Sequence, residues 1–144
     1  MFADFLRRLT APDPLPDTDA RLALAALLVR IARADNSYQS AEIAQIDRVL
    51  SRRYGFDAAA AAALRAEAET LEAEAPDTVR FTRAIKEAVP YDDRVGVIEA
   101  MWSVVLADGG RADEENALMR LAASLLGVSD PDSALARQRA AAPE

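Results

Sequence analysis

The chain contains no cysteine and no histidine. Structural zinc sites built from thiolate and imidazole are therefore excluded. So are a cysteine nucleophile, a Ser–His–Asp triad and imidazole acid–base catalysis. Any bound metal has to be a hard cation held by oxygen: calcium, magnesium or manganese. Glycine is scarce (five residues) and so are aromatics (Trp102, three Tyr and four Phe), whereas alanine is abundant. Since alanine has the highest helix propensity, this balance predicts an all-α protein. Positive charge is also short, with 17 Lys and Arg against 24 Asp and Glu, a net charge of −7. Such a surface repels the phosphates of nucleic acids and of anionic lipid, so neither is expected as a partner of the domain body. No long apolar run exists: Leu22–Ala34 is too short to span a bilayer and contains Arg30 and Arg33. Arg7 and Arg8 follow Phe5-Leu6 instead of leading such a run, so no signal peptide is expected and the reading is a soluble, cytoplasmic protein.

What is present is helical periodicity broken by clear stops. The 144 residues suit one domain with one core. Phe2, Phe5, Leu6 and Leu9 share a helical face. The prolines of APDPLP then stop the helix and form a stiff connector, so residues 1–19 are read as a short amphipathic helix on a tether. That helix docks on its own core, or else meets a partner or a membrane surface. A helix over 20–34 is apolar nearly all round and should be central. Ser40 is the expected N-cap of the next helix, lined by Ile43, Ile46, Val49 and Leu50 and stopped at Gly55. Asp57 should cap an alanine-rich third helix ended by Pro76. Asp77 should cap a fourth, carrying Phe81 and Ile85. Residues 91–107 form a broad apolar fifth helix around Trp102. Asp113 should cap a sixth, with Leu118, Leu121, Leu125 and Leu126, which ends at Gly127. Asp130-Pro131 opens a last helix or frayed tail over 131–144. The fold class expected is an all-α compact bundle of about seven helices, with residues 20–130 as the domain proper.

Within it one unit is written twice: buried helix, acidic elbow, amphipathic helix, glycine stop. The elbows are ADNSYQSAE and ADGGRADEE, with an acid seven places after each Asp: Asp35 and Glu42, Asp108 and Glu115. An EF-hand is excluded. Its sixth position would be Ser40 or Asp113 in place of Gly, and its twelfth Ile46 or Met119 in place of Glu. Two readings remain. Helix-end chemistry alone accounts for each acid, since Asp precedes a turn and Glu in a first turn complements the macrodipole. Alternatively the acids converge to hold a hard divalent cation, with Arg33 and Arg111 as competing neutralisers.

The segments LLVRIARADNSYQSAEIAQIDRVL and IEAMWSVVLADGGRADEENALMRLAASLLGVS resemble the two halves of the TerB family, the tellurite-resistance protein B domain. That all-helical domain is similar to the N-terminal domain of the membrane-tethered DnaJ-like protein DjlA. The second half matches in Ala-Asp-Gly at 107–109, the acid at 115 and Leu-Gly-Val-Ser at 126–129. Asn36 stands where the family usually has Gly, and Arg111 where it is usually apolar. The resemblance implies a non-catalytic domain associated with stress responses to metal oxyanions, with Asp35, Glu42, Asp108 and Glu115 as ligands of a divalent cation.

The function expected is a binding or scaffold module with an unidentified protein partner. The alternatives are a purely structural interaction domain, presenting residues 2–9 or the alanine-rich helix, and a carboxylate metal-dependent hydrolase. The last lacks a phosphate-binding glycine loop and any clustered third acid.

Overall fold

A computed structural model of the chain describes residues 17–34, 36–74, 78–107 and 113–142. The amphipathic stretch 2–9 and its proline-rich connector lie outside the described residues. Among those described there are seven helices and no strand: α1 (Asp17–Arg33), α2 (Ser40–Tyr54), α3 (Ala58–Glu74), α4 (Val79–Ala88), α5 (Tyr91–Leu106), α6 (Asp113–Leu125) and α7 (Asp130–Ala141).

Helix α1 is central, as its all-round apolarity requires. Leu24, Leu27, Leu28, Val29 and Ile31 are buried, and α1 packs against each of α2 to α6. Helix α5 is the second axis of the core, through Val97, Ile98, Met101, Trp102, Val104 and Val105. The alanine run of α3 serves close approach on one face only. Ala61 and Ala68 are buried where α3 lies along α1, while the alanines at 58–60 are exposed. Helix α7 is packed along α5, buries Ala136, and has its first turn pinned by Tyr91, whose hydroxyl donates to Asp132 Oδ2 at 2.6 Å.

The duplication extends further than the sequence pattern suggested. The hairpin α1–α2 is repeated as α5–α6, and α3 lies along α1 as α7 lies along α5. Helix α2 also touches α5 as α6 touches α1. Gly55 and Gly127 end the second helix of each unit in the left-handed region, at φ 67° and 71°. The next amide in each case, Phe56 and Val128, donates back to Ser51 and Ala123. One residue later Asp57 and Ser129 cap α3 and α7, accepting from the amides of Ala60 and Asp132. Helix α4, which packs on α1 and also reaches α6, has no counterpart in the second unit among the described residues.

Helix starts differ from expectation where backbone geometry decides them. Gln39, extended at φ −93° and ψ 160°, is the N-cap of α2, and Ser40 is its first helical residue. Thr78 takes the cap position of α4; Asp77, expected there, lies outside the described residues. Asp113 is the first residue of α6, and α1 begins at Asp17. The rules of capping choose among several polar candidates only once the chain's entry direction is known.

Candidate functional site

The first elbow is built from the end of α1 to the first turn of α2. Helix α1 tightens at its end, with Ala34 N–H donating to Ile31 O and Asn36 N–H to Arg33 O. Asn36 then reverses the chain at φ 63°, a conformation asparagine tolerates better than most non-glycine residues. The chain runs extended to Gln39, whose N–H donates to Glu42 Oε1 at 3.0 Å. This contact satisfies a backbone donor ahead of the helix, as in a capping box.

Glu42 is 0% exposed. Glu115, third residue of α6 and the equivalent position of the second elbow, is 1% exposed. These are the only acids buried among the described residues. Glutamate is among the residues least often fully buried, because desolvating a carboxylate is costly. Asp35 and Asp108, the first acids of each pair, lie outside the described residues, as does Arg111. Among the described residues no three acids come together as a ready-made metal cluster. Helices α2 and α6, which carry the two glutamates, both pack on α1 and α5.

A polar clamp braces the first elbow against α3. Arg33 Nη1 donates to Glu72 Oε2 at 2.8 Å, and its guanidinium lies 4.9 Å from the centre of the Tyr38 ring. Arg30 Nε reaches Glu72 Oε1 at 3.3 Å, its Nη2 reaches the Glu72 carbonyl at 3.2 Å, and the same guanidinium covers the Phe81 ring. Tyr38 O–H donates to Glu69 Oε2 at 2.6 Å. Glu69 is also paired with Arg65, which bonds Asp47 of α2 at 2.6 Å. Burial pushes the Tyr38 hydroxyl well above its ordinary range. The bond to the Glu69 carboxylate and its charge add to this, against opposition from Arg65 and Arg33. The tyrosine therefore stays a neutral donor. The sequence offered Arg33 as a neutraliser of the elbow acids; its described ion-pair partner is Glu72 of α3, and Tyr38 beside it bonds Glu69 of the same helix. The clue was limited to Glu69 and Glu72 sharing a face of α3 three residues apart.

Taken as chemistry, each elbow offers a buried carboxylate at a helix start, and the first is rigidly braced. These are oxygen donors suited to a hard cation. No nucleophile–base pair accompanies them among the described elbow residues.

A family model described as "Tellurite resistance protein TerB" matches residues 21–138. Among curated proteins nothing matches. Among solved structures the chain is similar to a protein of unknown function from Porphyromonas gingivalis W83. The TM-score is 0.62 at 17% identity, over 88% of this chain and 92% of that one, a likeness of fold alone.

Proposed function

The chain belongs to the TerB family, and from that premise we propose that it is a non-catalytic binding module whose elbows hold a hard divalent cation. Asp35 with Glu42, and Asp108 with Glu115, supply the carboxylates. The single observation that carries this reading is the burial of Glu42 and Glu115 at equivalent places in both units. A glutamate serving only the helix macrodipole gains its modest stabilisation while exposed, and burial is no part of that role. Repeated burial of one carboxylate per elbow fits a site in which charge is compensated locally. Calcium, magnesium and manganese are the classes that an all-oxygen donor set accepts. The family's description supports placing this binding in the cell's response to metal oxyanions.

The test is thermal denaturation of chelator-treated protein with each of the three cations added in turn. A ligand that prefers the native state stabilises it by about 2.7 kcal/mol at a hundredfold excess over Kd. Glu42→Gln and Glu115→Gln should each remove part of that gain while leaving helicity intact. An unchanged melting temperature with every cation at about millimolar concentration, where linkage requires a rise for any useful affinity, refutes the cation reading.

A further inference from the structure

The two units match in register beyond their elbows. Glu42 and Glu115, Ile46 and Met119, and Leu50 and Ala123 are buried at corresponding places on α2 and α6. Asp57 and Ser129 cap α3 and α7 alike, each accepting from the amide three residues on. Counted from those caps, Leu64 matches Ala136 and Ala68 matches Ala140, and all four pack on the core. This register sets Asp47 opposite Arg120 and Arg65 opposite Arg137.

In the first unit these places hold an ion pair. Arg65 Nε donates to Asp47 Oδ1 at 2.6 Å and ties α3 to α2. In the second unit the same places hold two cations, and among the described residues no acid pairs with either. The residue beneath differs as well, since Val29 of α1 is matched by Trp102 of α5. Helix α2 packs along α3, whereas α6 and α7 make no comparable contact. The fork between α6 and α7 is a cavity of about 370 Å³, lined by Trp102, Asn116, Arg120, Ser133 and Arg137, with Asp130 as its one described acid. The Arg137 guanidinium lies 5.3 Å from the centre of the Trp102 ring. The nearby acids Glu99 and Asp132 are engaged elsewhere, by Arg139 and by Tyr91.

We propose that this cavity binds a phosphate group, which bridges Arg120 to Arg137 as the Asp47 carboxylate meets Arg65 in the first unit. A guanidinium fork matches phosphate oxygens in pairs, and a phosphate has oxygens enough for two forks at once. Its second negative charge offsets the repulsion of Asp130, which a monoanionic carboxylate does less well. Asn116 and Ser133 supply neutral donors on the same lining. The volume is at the small end of ligand sites, about 300–1,000 Å³, and leaves room for the organic part of a small monoester against the indole. Both arginines are exposed, so the affinity falls with salt. No elbow carboxylate lines the cavity, so phosphate binding is independent of cation binding.

Trp102 is the sole tryptophan, so its fluorescence reports on the floor of the cavity directly. The full chain is titrated with sodium phosphate at constant ionic strength, with sodium chloride as the control and calorimetry as the second readout. A saturable response to phosphate alone is expected. Phenyl phosphate distinguishes the sources: tighter binding assigns a monoester, equal affinity assigns free phosphate. Arg120→Gln and Arg137→Gln should each weaken binding about tenfold or more, while Arg83→Gln on α4 leaves it unchanged. Arg120→Asp rebuilds the pair of the first unit, so it should abolish phosphate binding without lowering the melting temperature. In a 15N-labelled chain the amide shifts should centre on Arg120, Ser133 and Arg137. The proposal is overturned by an equal response to chloride, by no saturation at about 10 mM phosphate, by glutamine variants that bind like the parent, by an Arg120→Asp chain that still binds phosphate or melts lower, or by shifts centred elsewhere.

Discussion

Replacing Glu72 with alanine should destabilise the fold by about 2 kcal/mol, and the structure allows this figure to be bounded from both sides. Glu72 is 12% exposed and accepts from two cations, Arg33 Nη1 at 2.8 Å and Arg30 Nε at 3.3 Å. Charge-assisted hydrogen bonds contribute about 1.5–3 kcal/mol each when well shielded. The first has an arginine that is 34% exposed and the second is long, so both fall at or below the bottom of that range. Stranding a buried charge would add to the loss, to a total of about 3–5 kcal/mol. That penalty is muted here, because Arg30 keeps its bond to the Glu72 backbone carbonyl and its place over Phe81. Arg33 can rehydrate. The assay is urea denaturation by circular dichroism, with Glu67→Ala as an exposed control on the same helix. The expected result is a lower midpoint at unchanged slope for Glu72→Ala and a change within about 0.5 kcal/mol for Glu67→Ala. A double-mutant cycle with Arg33→Ala should return a coupling of about 1 kcal/mol. If Glu72→Ala matches the control, the clamp is a surface ion pair of no consequence and the rigid first elbow is wrong.

The remaining expectations are simpler. Trp102→Ala should cost about 3–5 kcal/mol as a core truncation. Trp102→Phe should cost much less, because the indole Nε1 is buried without a hydrogen-bond partner among the described residues and its removal relieves a desolvation penalty of about 1–3 kcal/mol. Both changes are read from thermal or chemical denaturation. Gly55→Ala and Gly127→Ala should each lose about 1–2 kcal/mol, and by similar amounts, since both replace a left-handed residue at equivalent stops; unequal losses would argue against equivalence. Stability should fall as pH rises above about 10. There the unfolded chain ionises its tyrosines while burial keeps Tyr38 and Tyr54 protonated in the native state. The raised native pKa thus stabilises the fold below that point and ceases to do so as the native groups titrate. Tyr38→Phe should flatten the alkaline slope of stability measured between about pH 9 and 11.

Helix order, the central place of α1, the core position of Trp102 and the glycine stops are all legible in the residues. Each depends on periodicity or on a local conformational preference that neighbours in the chain enforce. Helix starts were less legible. Ser40 and Asp77 are good cap residues, yet Gln39 and Thr78 hold the cap positions. The first elbow's clamp was not legible at all, since Arg33 and Glu72 are 39 residues apart and meet only because α3 lies along α1. The glutamates of the elbows were visible as acids at helix starts, but nothing local distinguishes an exposed dipole partner from a buried carboxylate.

The residues alone determined an all-helical chain with a doubled hairpin and an acidic elbow in each copy, because helix propensity, amphipathic spacing and turn chemistry act over a few neighbours. Tertiary packing decided which carboxylates lost their water and which of two equivalent faces was covered. Among the described residues helix α4 packs on α1 and has no counterpart in the second unit; Leu27 of α1 is buried, while Ala100, at the matching place of the repeat on α5, is only partly covered.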